Sequence, residues 1–150
     1  MEAIAELHTE LAARVLIARY FTVNSRPVQL DALRALVSDD VVVVYPSGRF
    51  YGAPAYMAHQ AKTARVLRFC CGSSVVGAAG PIEFGATFAE PPPAGCALRA
   101  AVPWGYVARP WLLCGCPLRQ RGVNRYGFKV VKGPAGEEEV RICYVQTAPE

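Results

Sequence analysis

The sequence has no apolar run approaching the roughly 20 residues a helix needs to cross a bilayer, so no membrane-spanning segment is expected. Its opening stretch, MEAIAELHTELAARVL, carries three glutamates in an amphipathic pattern, unlike a secretory signal. Without such a signal, the six cysteines (Cys70, Cys71, Cys96, Cys114, Cys116 and Cys143) are expected as reduced thiols in a cytoplasmic protein, not as a disulfide framework. Neither Cys70-Cys71 nor Cys114-Gly115-Cys116 has the spacing of a structural zinc module, and the two histidines, His8 and His59, lie far from both in sequence. No metal and no cofactor is therefore expected. A Gly-rich phosphate loop, a dense basic cluster and a base-reading motif are also missing, which speaks against a nucleic-acid partner. Acids are scarce in the middle of the chain: residues 41–136 hold two acids against eleven bases, and residues 96–136 hold none. That basic stretch reads either as the solvated outer face of a sheet, neutralised in space by Glu137, Glu138 and Glu139, or as an anion-binding surface.

What is present is ample apolar material. Hydrophobic residues make up 53% of the 150 and charged residues 19%, which suits one domain over residues 1–150. From residue 2 to about residue 22, Ile4, Leu7, Leu11, Val15, Ala18 and Phe21 recur at three-and-four spacing and predict a long amphipathic helix. Residues 24–27 break it, and Leu30, Leu33, Leu36 and Val37 mark a second, shorter helix. The β-branched run 41–45 predicts a strand stopped by Pro46-Ser47-Gly48, with residues 49–52 pairing back on it. Asp39 and Asp40 are expected to end the second helix or to bond amides in the turn. Pro54 suits the first turn of a third helix reaching Phe69, with His59, Lys62 and Arg65 on its polar side. Beyond Gly72, Gly- and Pro-rich breaks separate apolar stretches at 73–79, 82–88, 96–102 and 106–113. A last hairpin joins 125–132 to 140–147 through Gly133-Pro134-Ala135-Gly136. All read as strands of one antiparallel sheet, and helices followed by such a sheet make an α+β design.

Residues 38–52, SDDVVVVYPSGRFYG, resemble the signature of the nuclear transport factor 2-like superfamily, in particular its SnoaL-like and ketosteroid-isomerase-like branch. The resemblance implies a cone-shaped, curved antiparallel sheet wrapped around a long N-terminal helix, with three helices in all. It further implies an apolar pocket at the open end of the cone and a homodimer formed through the outer sheet face. Carried over residue by residue, Tyr20 matches the tyrosine that donates to a developing oxyanion in the isomerases. Tyr45 stands before the turn proline, where those enzymes carry their aspartate base. A phenol with a pKa of about 10 donates a proton at neutral pH and does not readily remove one. Nor can residues 96–136, which lack Asp and Glu, supply the isomerases' second acidic donor, so steroid isomerisation by the family's route is disfavoured.

Two readings of function stay open. In the first, the cone holds a small apolar or aromatic molecule, with Phe50, Tyr56, Trp104 and Trp111 lining the pocket. Any catalysis there, of a cyclase, dehydratase or isomerase-like kind, would use His59 as base and Tyr20 with Tyr45 as donors. The same residues also suit plain packing: His59 lies on a polar helical stripe, and the Tyr45 ring fits a core. In the second reading the chain is a non-catalytic dimeric module that binds an acidic protein segment or another anion. Fold alone does not choose between them.

Overall fold

The computed structural model describes residues 2–25, 27–110 and 116–150. Helix α1 (Glu2–Asn24) buries Ala13, Leu16, Ile17, Tyr20, Phe21 and Val23. The buried stripe is not the one expected: Leu11 and Val15 are 53% and 49% exposed, and Ala18 also faces out. Two apolar stripes share this helix, and the one holding Ile17, Tyr20 and Phe21 removes more apolar area from water. Helix α2 (Leu30–Leu36) buries Leu33 and Leu36 and runs directly into strand β1 (Val37–Tyr45). The valine run of β1 is buried on both faces. Val41 and Val43 join the main core, while Val42 and Val44 pack with Tyr144 in a second cluster.

Strand β2 (Gly48–Tyr51) pairs back on β1 with Gly48 opposite Tyr45. Gly52, at φ +88°, then turns the chain straight into helix α3 (Ala53–Cys70) and donates its N–H to the Val41 carbonyl at 2.8 Å. A side chain would strain that backbone, so glycine is required there. The remaining strands are β3 (Cys71–Ala78), β4 (Glu83–Phe84), β5 (Leu98–Pro110), β6 (Leu118–Lys132) and β7 (Glu138–Pro149). They form one open sheet in the order β2-β1-β7-β6-β5-β3, with β4 also on β5.

Beyond the stripe of α1, four details differ from the sequence reading. First, β1 and β7 are parallel, so the sheet is mixed; strands joined by no hairpin are free to pair either way. Second, the stretches 96–102 and 106–113 meet, as far as Pro110, in the single strand β5, which passes through Pro103; residues 111–113 lie outside the described residues. The Pro103 carbonyl accepts from the Ala79 N–H at 2.8 Å, so its nitrogen also faces β3, and no bond to β6 is lost. Third, only Glu83 and Phe84 of 82–88 are strand. The connector beyond them crosses the outer sheet face, where the Phe88 ring stacks on Tyr144 at 4.2 Å. Fourth, Asp39 and Asp40 lie inside β1, at an irregularity in its pairing with β7. Asp39 pairs with Arg34, and Asp40 accepts from Lys129 at 2.7 Å and from Ser38 at 2.8 Å.

Several bases of the middle region find acids: Arg49 pairs with Glu90 of the same region, and Lys129 with Asp40 and Arg121 with Glu150 at 2.9 Å draw on acids from outside it. Of the expected neutralising glutamates, Glu139 pairs with Arg141 at 3.1 Å, within the same strand. No helix among the described residues is long and apolar enough to cross a membrane.

Candidate functional site

A cavity of about 290 Å³ lies between the end of α1 and the inner face of the sheet. Helix α1 contributes Tyr20, Phe21 and Asn24, which fall on one side because residues three and four apart are neighbours on a helix. Alternation along a strand sends Trp104 and Tyr106 of β5, and Gln120 and Asn124 of β6, to the same face. Tyr45 of β1, Val76 of β3 and Thr147 of β7 complete the wall. Among the described residues the lining holds no Asp, Glu, Lys, Arg or His. Its polar groups are neutral hydroxyl, amide and indole groups.

Three tyrosine hydroxyls converge behind and beside this cavity. The Tyr20 and Tyr56 hydroxyls are 2.9 Å apart. The Gln60 amide nitrogen donates to the Tyr56 hydroxyl at 2.8 Å and, more weakly, to Tyr45 at 3.3 Å and to the Asn24 Oδ1 at 3.3 Å. Burial holds the phenols of Tyr20, Tyr45 and Tyr56 well above the ordinary tyrosine range, and mutual repulsion between their phenolates adds to it. All three are therefore protonated donors at neutral pH. Tyr126, one layer deeper, is also raised by burial, although a bond from Asn124 partly offsets it.

Two residues of the lining carry a buried polar atom without a hydrogen-bond partner among the described residues: the Trp104 Nε1 and the Asn124 Oδ1. Trp104 is 6% and Asn124 5% exposed. Asn124 directs its Nδ2 to the Tyr126 hydroxyl at 2.8 Å, which leaves its carbonyl oxygen free. The Trp104 indole lies against Gly122 of β6, where a Cβ would come within 2.7 Å of the indole Cζ2. Gly122 thereby sets the position of the ring.

The residues singled out from sequence divide three ways. Tyr20, Tyr45 and Trp104 line the cavity. Tyr56 is fully buried behind it and reaches the site only through its bond to Tyr20. His59 and Phe50 stack on one another at 4.2 Å, with Tyr45 5.5 Å from the histidine, and neither is part of the lining. Burial, helped by the Lys62 charge, lowers the pKa of His59. Trp111 lies outside the described residues. Gln60, Asn24, Gln120, Asn124 and Thr147 were not anticipated. Gln60 carries a signal that could have found it: it is four residues after Tyr56, on the same face of α3. Asn124 carries another, as a polar residue in register with the inward-facing Tyr126.

No protein-family model and no curated protein sequence matches the chain. Solved structures do. A nuclear transport factor 2-like superfamily protein from Salmonella enterica serovar Typhimurium superposes with a TM-score of 0.61 over 97% of this chain and 92% of its own, at 13% identity. A hexachlorocyclohexane dehydrochlorinase (LinA) of type 2 reaches 0.72 over 99% and 89%, at 10% identity. A protein with a cystatin-like fold from Novosphingobium aromaticivorans reaches 0.60 over 99% and 86%, at 21% identity. At these identities the likeness is one of architecture: among the described residues, three helices on an open, curved, mixed sheet of seven strands.

Proposed function

We propose that this chain of nuclear transport factor 2-like fold binds a small, neutral, apolar or aromatic molecule in the cavity between α1 and the sheet. The observation that carries the reading is the lining itself: aromatic walls, neutral hydrogen-bonding groups, and no charged side chain among the described residues. Apolar walls with a few convergent polar groups are the usual form of a small-molecule site. Tyr20 and Tyr45 serve as hydroxyl donors, Trp104 and Phe21 as walls, and Tyr56 with Gln60 as the support that orients the hydroxyls. An enzyme named for a small chlorinated ring shares the fold, which suits a ring-sized occupant.

The same lining argues for binding ahead of acid-base turnover. A donor cluster can polarise a carbonyl, but abstracting a proton also needs a base within hydrogen-bond reach. His59, the base considered from sequence, packs on Phe50 and not on the cavity wall. The homodimer belongs to this proposal as well. A second copy approaching the outer sheet face meets the connector at Phe88, which covers Val42, Val44 and Tyr144. Sedimentation velocity across the micromolar range tests that element, and a concentration-independent monomer would overturn it.

The binding proposal is tested by a ligand-observed NMR screen of neutral one- and two-ring fragments against the protein and its Val76→Trp variant, which fills the cavity. Hits that lose their signal with the filled variant are expected. An absence of hits, or hits indifferent to the filling, would overturn the reading.

A further inference from the structure

The connector over the outer sheet face carries Cys96 near its end, and it brings that thiol to strand β7. Ala97 donates its N–H to the Phe128 carbonyl at 2.8 Å, which seats the end of the connector on β6. Tyr126 and Phe128 face the main core, so Gly127 between them faces outward. A Cβ on Gly127 would meet the Cys96 Sγ at 2.9 Å and the Tyr144 Cβ at 3.0 Å, so the sulfur and β7 crowd one point over that glycine. Cys143 is the residue beside Tyr144. In the β6–β7 register Gly127 pairs with Tyr144 and Phe128 with Ile142, which leaves Cys143 as the extra residue of a bulge. Its side chain turns to the same patch, where the Cys96 thiol, the Lys129 ammonium and the Asp40 carboxylate are its polar neighbours. Cys143 is fully buried, whereas Cys96 is half-buried and within reach of solvent, and both are free thiols.

We propose that Cys96 and Cys143 form a site of reversible oxidation, in which a hydroperoxide is the oxidant and the two sulfurs end as a disulfide on the outer sheet face. The Cys96 thiolate attacks one peroxide oxygen: an S–O bond forms, the O–O bond breaks, and the rest of the peroxide takes up the Cys96 proton and leaves as an alcohol, or as water from hydrogen peroxide. The Cys143 sulfur then attacks the Cys96 sulfur. The S–S bond forms, the S–O bond breaks, and the hydroxide leaves as water with the proton that Cys143 gives up. The two thiols together lose two electrons, and the peroxide gains them. A dithiol reductant reverses the bond by exchange. Access sets the order of events, because the oxidant meets Cys96 and Cys143 lies behind it. Burial, then the neighbouring Cys96, holds the Cys143 thiol well up, and the Lys129 ammonium only partly offsets this, so the second step is the slower one. A metal suits the pair less well: among the described residues no three His, Cys, Asp or Glu side chains gather as a metal site, and Asp40 is engaged by Lys129 and Ser38. The closed bond would tie the connector to β7 beside the Phe88–Tyr144 stack.

The test treats the full chain, reduced and freed of reductant, with a small excess of hydrogen peroxide. The protein is then unfolded in N-ethylmaleimide to block every remaining thiol and mapped by peptide mass spectrometry. A peptide pair joined through Cys96 and Cys143 is expected as the dominant disulfide, and dithiothreitol added before the block should abolish it. Dimedone, which traps sulfenic acids, should label Cys96 severalfold more in Cys143→Ser than in wild type, because the resolving sulfur is gone. In Cys96→Ser, the buried Cys143 should stay unlabelled. Recovery of Cys96 and Cys143 as blocked thiols, under conditions that oxidise the exposed Cys116, would overturn the proposal. So would a disulfide from Cys96 to any other cysteine or to Cys96 of a second chain, and so would equal dimedone labelling of Cys96 in wild type and Cys143→Ser. Should that variant fail to fold, the wild-type peptide map decides alone.

Discussion

The Gln60 amide nitrogen donates to the Tyr56 hydroxyl at 2.8 Å across one turn of α3, and that bond sets the polarity of the tyrosine cluster. Tyr56 is fully buried, so its own proton also needs an acceptor, and the Tyr20 hydroxyl stands 2.9 Å away. With Tyr56 donating to Tyr20, the Tyr20 proton is left for Tyr45 or for whatever enters the cavity. A residue outside the cavity wall thus determines which way its hydroxyls point.

Replacing Gln60 by leucine removes the side-chain amide that donates to Tyr56 and contacts Tyr45 and Asn24. Leaving buried hydroxyls short of a donor costs on the order of 1–3 kcal/mol. Urea unfolding of Gln60→Leu should show a loss of that size. A Tyr56→Phe change in the same background should add less than it does alone, because the two groups act as one network. Full additivity would mean that the cluster is not coupled.

Gly122→Ala should disturb Trp104 specifically. The added Cβ would meet the Trp104 Cζ2 at 2.7 Å and the Ala148 carbonyl oxygen at 2.4 Å, so both ring and backbone must shift. Overpacking of this kind costs about 1–3 kcal/mol. The expected result is a lower unfolding midpoint together with a changed near-ultraviolet circular dichroism from the displaced indole. Wild-type stability with an unchanged aromatic spectrum would show that Gly122 does not set the ring.

Much of the architecture was legible because hydrophobic period carries it. The valine run gave β1, Pro46-Ser47-Gly48 gave the hairpin, and Gly133 to Gly136 gave the turn between β6 and β7. Pairing partners were less legible. Nothing local in Val42 or Tyr144 announces that their strands run parallel, because that contact spans most of the chain. On α1 two stripes carry helical spacing, and only the tertiary packing of Tyr20 and Phe21 against Tyr126 selects one of them. At the site, tyrosines and tryptophan stand out as residue types, whereas Gln60 and Asn124 matter through their neighbours. A glutamine beside a histidine on α3 looks equally suited to solvent until Tyr20 and Tyr56 are seen to meet. His59 is the converse case: its titration range suggested chemistry, but its ring stacks on Phe50 and is not part of the cavity lining.

That histidine gives a pH prediction. Burial, then the Lys62 charge, lowers its folded pKa below the ordinary value of about 6.5. Above that value both folded and unfolded chains hold the ring neutral, and its contribution to stability is fully present. As pH falls below it, the unfolded chain takes up the proton first, so stability declines until the folded ring also protonates. The urea midpoint should therefore fall between about pH 7 and pH 5, and His59→Gln should remove that component of the slope. Identical slopes in the two proteins would rule out His59 as its source.

The connector over the outer sheet face gives the last prediction. Phe88 stacks on Tyr144 at 4.2 Å, Arg99 lies 4.7 Å over its ring, and Glu90 two residues on pairs with Arg49. Beneath the stack, Val42 and Val44 are nearly dry although they face away from the main core. Phe88→Ala removes the stack and uncovers those valines. Complete burial of a phenylalanine makes such a change cost about 3–5 kcal/mol. Phe88 is only half-buried, so about 1–3 kcal/mol is expected from urea unfolding. Because Phe88 is what a second copy meets on that face, the variant should also weaken the proposed dimer, read as a lower sedimentation coefficient than wild type at equal micromolar concentration. A variant as stable and as associated as the parent would show that the connector merely rests on the sheet. Loss of stability without loss of association would show that it anchors the outer face without taking part in the dimer.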